Sequence, residues 1–191
     1  MTRSILLVGL ALLVSPTAHA QNRPKVEVFG GISYSLVRLG EDNLKAKGWH
    51  AMVTLNSSQS WLSFVADFSS HRGSLGGATT STYVAMAGMR GAIQSGRVIG
   101  FGHSMYGISF GHPPLFPNAE LKPDQRVWFT YVPIGGGTEI ELGRRIALRV
   151  VQFDLILHSK TPDYVQGLPQ EYLSKPQIRL SCGIVFRFGK V

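Results

Sequence analysis

Three residues could form a hydrolytic site: the neighbours His103 and Ser104, and the acidic Glu120. A serine nucleophile needs a histidine base within hydrogen-bond reach and an acid that orients the histidine. If positions 103 and 104 lie in a β-strand, their side chains point to opposite faces and cannot touch. The pattern for a serine hydrolase is therefore weak, and we predict that the protein has no catalytic residues.

Other reactive residue types are scattered along the chain. No two histidines have the His-x-x-x-His spacing of a helical metal site; they stand at positions 19, 50, 71, 103, 112 and 158. Gly135-Gly136-Gly137 lacks the following Lys-Ser/Thr of a phosphate-binding loop, so we interpret it as a close backbone approach or a bend in a strand. The single cysteine, Cys182, excludes a disulfide framework. We predict no metal and no cofactor.

The composition is that of a folded, basic chain. The sequence has 191 residues, of which 44% are hydrophobic and 16% charged, and its formal net charge is +8. This length is typical of one domain, and the low charge content argues against intrinsic disorder. The excess positive charge would attract anionic lipid head groups, whereas nothing in the pattern indicates binding to nucleic acid.

The N-terminus has the three parts of a secretory signal peptide. Arg3 supplies a positive charge, residues 5–14 form an apolar run, and Ala18-His19-Ala20 provides a small-x-small cleavage site. The apolar run is too short to cross a bilayer as a helix, which needs about 20 residues. We predict a signal peptide over residues 1–20, cleavage after Ala20, and one exported domain over residues 21–191.

The elements that must position any site are β-strands, because apolar residues recur with a period of two. In the last such segment Ile178, Leu180 and Cys182 alternate with Arg179 and Ser181. The seventh segment places Arg149 and Asp154 on opposite faces, which indicates either a bulge or an earlier end. The predicted strands are 25–35, 47–56, 61–69, 83–91, 98–110, 126–142, 146–157 and 177–189.

Short and long connections alternate strictly between these strands. The short ones are 57–60, 92–97 and 143–145, and the long ones are 36–46, 70–82, 111–125 and 158–176. Turns at one end and loops at the other are typical of an outer-membrane barrel with both termini in the periplasm. The sequence therefore predicts an all-β fold, an eight-stranded antiparallel up-and-down transmembrane β-barrel with short periplasmic turns and long extracellular loops.

The distribution of charge indicates that the apolar face of each strand points outward. The opposite face carries acids and arginines that could pair inside the narrow lumen of an eight-stranded barrel. The apolar face carries almost no charge, since an Arg or Lys facing lipid at the bilayer midplane costs about 2–4 kcal/mol. We predict a structural charge network in the lumen formed by Glu27, Asp67, Arg90, Glu139, Glu141, Arg149, Arg179 and Arg187.

Over nearly the whole predicted mature chain, the sequence resembles the small outer-membrane β-barrel proteins of the OmpA-like superfamily that consist of the barrel alone. The resemblance implies that the terminal strand, with Phe186 and Phe188, is the signal read by the barrel-assembly machinery. Here Gly189-Lys190-Val191 follow the last aromatic residue, which departs from the strictest form of that signal. The matching stretches are 26–34, 48–51, 62–68, 146–149 and 180–189.

The same resemblance implies a location in the outer membrane, in contact with outer-membrane lipid and lipopolysaccharide. Basic residues are concentrated at the predicted periplasmic end, where we expect them to contact the head groups of the inner leaflet. These residues are Lys25, Arg97, Arg144, Arg145 and Lys190.

Four functions are compatible with the sequence. We expect a non-catalytic outer-membrane protein with a structural or surface-interaction role, exerted through its extracellular loops on a ligand that the sequence does not identify. The loops could instead make it a surface adhesin or receptor. Some barrels of this size are lipid A hydrolases, but their His-x-Ser spacing would need a serine where Met105 stands. The fourth candidate is a soluble, periplasmic, lipocalin-like barrel that binds an apolar ligand.

Overall fold

The described part of the chain forms eight β-strands. The structure is a computed structural model that describes residues 24–39, 42–57, 61–75, 78–112, 127–158 and 176–189. The predicted signal peptide, its cleavage site, Glu120 and Lys190 lie outside these residues. Within them, no helix is long and apolar enough to cross a membrane. The strands are β1 (Val26–Leu39), β2 (Asp42–Asn56), β3 (Leu62–Leu75), β4 (Ala78–Ser95), β5 (Val98–His112), β6 (Val127–Glu141), β7 (Ile146–His158) and β8 (Gln177–Phe188).

The strands form one closed antiparallel barrel in sequence order. Each strand pairs with the next along the chain, and β1 pairs with β8 in a register that runs from Val26 opposite Phe188 to Val37 opposite Gln177. Closure satisfies the backbone hydrogen-bonding groups that an open sheet would leave at its edges. The predicted fold, an eight-stranded antiparallel up-and-down barrel, is confirmed.

The two ends of the barrel differ in what they hold. The terminal end carries the pair Val26 and Phe188, the end of β2 at Asn56 and the start of β3 at Leu62, and the connections 96–97 and 142–145. The distal end, opposite to it, carries the hairpins that join β1 to β2 and β3 to β4.

The strands reach further toward the distal end than the sequence predicted. β1 continues to Leu39 and pairs there with Asp42, while β3 continues to Leu75 and pairs with Ala78. The segments 36–46 and 70–82, predicted as long loops, are therefore mainly paired strand. The consecutive apolar residues Leu36-Val37 in the first segment and the mainly polar residues of the second break the alternation, although the backbone pairing continues. The other two predicted loops, 111–125 and 158–176, fall largely outside the described residues.

Two bulges interrupt the ladders of β6 and β7. In β7, Val150 and Val151 together stand opposite Cys182, so the strand changes parity between Arg149 and Gln152. This is the bulge that was one of the two interpretations of the seventh segment. In β6 the register shifts between Tyr131 and Ile134, around a proline that cannot donate a ladder hydrogen bond. The residue pattern of β6 did not indicate this second bulge.

Candidate functional site in the barrel lumen

The lumen contains two clusters of charged side chains. The cluster nearer the terminal end, which we call the terminal cluster, is centred on Arg90 and Arg187. Arg90 donates to Glu27 at 2.6 Å and to Glu139 at 2.9 Å. The Arg187 guanidinium lies 3.1 Å from Glu27 and donates to Glu141 at 2.5 Å. These acids and arginines come from β1, β4, β6 and β8, so the contacts join strands on different sides of the barrel.

Arg149 completes the terminal cluster. Its Nη2 donates to Glu139 at 2.7 Å, and its side chain is only 1% exposed. The guanidinium also lies between two aromatic rings, 4.1 Å from the centroid of Phe29 and 4.7 Å from that of Phe101. Cation–π contacts of this kind are strongest where water is excluded. The two rings therefore help to compensate the desolvation of a fully buried arginine.

The second cluster, which we call the distal cluster, is built around Arg179. Its guanidinium bridges two carboxylates, with Nη2 at 2.8 Å from both Asp67 and Asp154. Each carboxylate also contacts a histidine: His50 Nε2 lies 2.6 Å from Asp67 Oδ2, and His103 Nε2 lies 2.7 Å from Asp154 Oδ1. All five residues are buried, and a buried charge is tolerated only when its partners are present.

Gln152 joins the two clusters into one network. Its Oε1 accepts a hydrogen bond from Arg149 Nη1 at 2.5 Å, and its Nε2 donates to Asp154 Oδ2 at 2.9 Å. The bulge in β7 makes this possible, because Gln152 and Asp154 would otherwise point away from Arg149. A polar network therefore runs through the lumen without a break from Glu27 to Arg179.

Two of the three successive glycines in β6, Gly135 and Gly137, make room for this network. A Cβ at Gly135 would lie 2.2 Å from His103 Nε2 and 2.7 Å from Asp154 Oδ1. A Cβ at Gly137 would lie 2.9 Å from the ring of Phe101. The run is thus a site of close approach, the interpretation favoured over a phosphate-binding loop.

The structure places all eight predicted network residues in the lumen, each in at least one ion pair. Four further members of the network, Asp154, His50, His103 and Gln152, were not predicted from the sequence. Asp154 was missed because the bulge hides its parity, whereas the histidines do share a face with predicted members and could have been found by following that face. The eight residues are Glu27, Asp67, Arg90, Glu139, Glu141, Arg149, Arg179 and Arg187.

One part of the distal cluster has the order of a catalytic triad. Ser181 Oγ lies 3.0 Å from His50 Nδ1, and His50 Nε2 contacts Asp67. Asp67, however, is also bound by Arg179, and Ser181 is only 4% exposed. A nucleophile must reach a substrate carbonyl, so this geometry favours a structural hydrogen bond. The sequence-derived pair does not assemble, since His103 is buried and Ser104 is on the exposed face.

The outward face of the barrel is apolar over most of its area. Exposed side chains include Ile32, Phe68 and Leu180, and aromatic residues such as Trp49 and Tyr106. Among the outward strand positions whose side chains are described, three carry a charge. All three residues are basic, and they lie on β2 or β3. These are Lys45, Lys47 and Arg72.

The outer surface also carries the two aromatic residues of the predicted assembly signal, and the single cysteine. Phe186 and Phe188 alternate outward on β8 and are 45% and 55% exposed. Cys182 is exposed on the same strand. Over the described ranges no group of three or more His, Cys, Asp or Glu is arranged to hold a metal ion.

Comparison with known proteins finds similarity at the level of structure. No protein-family model matches the chain, and no curated protein matches it. Among solved structures, Neisserial surface protein A is similar with a TM-score of 0.67 at 10% identity, over 86% of this chain and 97% of that one. The attachment invasion locus protein Ail of Yersinia pestis is similar with a TM-score of 0.54 at 13% identity, over 87% and 99%.

A second structure of Ail, in complex with the heparin analogue sucrose octasulfate, gives a TM-score of 0.53 at 14% identity with the same coverage. Both relatives are small eight-stranded outer-membrane β-barrel proteins. The similarity extends over nearly their full length, and at these identities it concerns the fold. This chain has the fold of the small eight-stranded outer-membrane β-barrel proteins.

Proposed function

We propose that this protein is an integral outer-membrane barrel with no catalytic role, which acts as a structural element of the envelope and presents its distal end to the surroundings. The observation that carries the proposal is the division of the strands into two faces. Charged side chains are paired inside the lumen, and the outward face is apolar. A soluble barrel would require the opposite arrangement, because its exposed face would contact water.

The contents of the lumen support a structural role over transport or ligand binding. Inward side chains from all eight strands are buried, including Phe29, Arg149 and Arg179. Eight strands enclose a lumen just wide enough for side chains to fill it. A lipocalin-like protein would need an apolar cavity at this position, but the described part of the lumen holds ion pairs.

A non-catalytic role is likewise supported by the contacts that the carboxylates and histidines of the distal cluster make. Each carboxylate of the distal cluster is bound by Arg179 and by a histidine. A general base must be within hydrogen-bond reach of the proton that it removes from a substrate. His50 and His103 instead direct Nε2 at buried acids, where they contribute to packing.

The test is cell fractionation followed by electrophoresis. Membranes from an expressing Gram-negative cell are solubilised in cold SDS, and boiled and unboiled samples are run side by side. We expect the protein in the outer-membrane fraction, with a mobility that shifts on boiling because the closed barrel resists SDS until it is heated. A protein recovered from the soluble periplasmic fraction, with no shift, would contradict the proposal.

Insertion into the membrane requires assembly, and the terminal strand is the proposed signal. We expect Phe188→Ser to lower the amount of protein in the outer membrane while leaving refolding of the purified chain in detergent unchanged. Phe64→Ser is the matched control, because Phe64 is also an outward aromatic residue near the terminal end. Equal losses for the two variants would indicate a general effect of removing an apolar side chain.

A second candidate, attachment to surfaces, is favoured by the similarity to Ail, whose name records attachment and invasion. The distal end is where such a role would reside in this chain. Binding of expressing cells to heparin-coated and uncoated wells tests it. Expressing cells that bind no better than cells without the gene would exclude heparin-like glycans as the ligand.

A further inference from the structure

An apolar groove of about 540 Å³ crosses the outer wall of the barrel over β7, β8, β1 and β2. Val150 and Val151 line one end of it, Cys182 and Ile32 line the middle, and Lys47 lines the other end. The groove opens on the outward face of the barrel, where these side chains lie; Ser33 and Ser181, whose side chains are buried, also border it.

Local packing explains why the wall is hollow here. The bulge in β7 turns both Val150 and Val151 outward opposite Cys182, and Cys182 is in turn paired with Ile32. The cysteine side chain is smaller than those of its outward neighbours on β8, Leu180 and Ile184, so it leaves a depression between the valines and the isoleucine. The depression is set by backbone register and by side-chain size.

One end of the groove is marked by positive charge. Lys47 is paired in register with Arg72 on β3 and with Tyr34 on β1, and Lys45 lies two residues further toward the distal end. No described carboxylate forms an ion pair with these three basic residues. They interrupt an outward face that is otherwise free of charge wherever its side chains are described.

We propose that this groove binds one acyl chain of a phosphate-bearing lipid, and that Lys47 and Arg72 bind its phosphate. An apolar groove complements an acyl chain, and long basic side chains at the edge of an apolar surface extend toward anionic head groups. A soluble sulfated glycan would share the cations but would leave the apolar groove empty. The inference rests on the proposed function, because it requires this face to be in lipid.

Trp49 provides an intrinsic probe of the groove. It is half-exposed, faces outward two residues from Lys47, and is the register partner of Ile32. With Trp61→Phe and Trp128→Phe as background, Trp49 is the single tryptophan. Quenching of its fluorescence is measured in phosphatidylcholine nanodiscs that contain either brominated phosphatidic acid or brominated phosphatidylcholine at equal mole fraction.

We expect brominated phosphatidic acid to quench Trp49 at a lower mole fraction than brominated phosphatidylcholine, with a preference of roughly fivefold for each basic side chain involved. Lys47→Gln with Arg72→Gln should abolish the preference. Lys25→Gln with Arg97→Gln, which removes the same charge at the terminal end, should leave it unchanged. Equal quenching by the two lipids in the parent protein would overturn the proposal.

A variant of the groove separates a binding site from simple attraction of anionic lipid. Cys182→Phe should fill the depression and reduce the preference while Lys47 and Arg72 remain. Ile184→Phe, at the next outward position on β8, is its control and should have no effect. If the preference for brominated phosphatidic acid survives Cys182→Phe, the proposal that the groove binds an acyl chain is overturned. Lys47 and Arg72 would then be a general site for polyanions. Heat-shifted mobility, measured first, establishes that the barrel is folded; a chain that does not insert into nanodiscs would contradict the proposed function itself.

Discussion

At the scale of single residues, the lumen depends on arginines whose partners surround them. Arg179 contacts Asp67 and Asp154 and is completely buried, whereas Arg187 contacts Glu27, which Arg90 also binds, and Glu141, whose side chain is 28% exposed. The loss of an arginine costs less where its carboxylates reach water or keep a second arginine, because their charge is then still compensated.

We therefore expect Arg179→Ala to lower the free energy of unfolding by about 3–5 kcal/mol, since it leaves two buried carboxylates without their cation. Arg187→Ala should have a smaller effect, and Arg145→Ala, at an exposed turn residue, should have almost none. Urea unfolding of the three variants in detergent measures the ranking. A loss for Arg179→Ala no larger than that for Arg145→Ala would contradict the role given to the distal cluster.

Gly135 offers a second test at this scale. Gly135→Ala would place a methyl group within 2.2 Å of His103, so we expect the His103–Asp154 contact to break and the free energy of unfolding to fall by about 1–3 kcal/mol. Gly100→Ala, where a Cβ meets nothing within 4 Å, should be neutral in the same unfolding experiment. Comparable losses at both positions would point to strand flexibility and not to crowding.

At the scale of elements, the pleat fixes which side chains face the lumen, and the bulges change that assignment. The alternation along β8 predicted correctly that Arg179 and Arg187 share a face. The alternation along β7 could not assign Asp154 to the lumen face. The extra residue that changes its parity is identified only from the pairing of β7 with β8. The ends of β1 and β3 were predicted too short for a related reason. Period two is lost over 36–39, where apolar residues are consecutive, and over 70–75, where most residues are polar, although the backbone pairs continue.

Deletion of Val151 tests the bulge. The deletion would pair Val150 alone with Cys182 and leave Gln152 and Asp154 facing the lumen, in register with Ser181 and Arg179. We expect the shortened protein to keep the heat-dependent mobility shift, as Val151→Ala should, because each lumen side chain keeps its partners. Loss of the shift on deletion would show that the extra residue is itself needed for the barrel to close.

At the scale of the whole molecule, the barrel is a closed wall around a filled interior. The networks of the terminal and distal clusters connect strands that are not neighbours in the sheet, so they stabilise the barrel through contacts across its lumen. Because ion pairs cross its lumen, a barrel of this kind is poorly suited to the passage of solutes.

We accordingly expect no steady channel current when the purified protein is reconstituted into a planar lipid bilayer, because inward side chains occupy the lumen of an eight-stranded barrel. A larger porin in the same bilayer provides the positive control. Long-lived conductance steps with this protein would show that the lumen opens, and would move the proposed role from structure toward transport.

The pairing of β1 with β8 also constrains the order of events in folding. The first strand of the barrel finds its second partner only when the last strand arrives, so this contact has the largest separation along the chain and is expected to form slowly. Until then β1 and β7 each expose an unpaired edge, which invites pairing with other chains. The nascent chain must therefore be kept apart from its copies until Phe188 is in place, and a chain truncated before β8 would be left with two open edges, prone to aggregation.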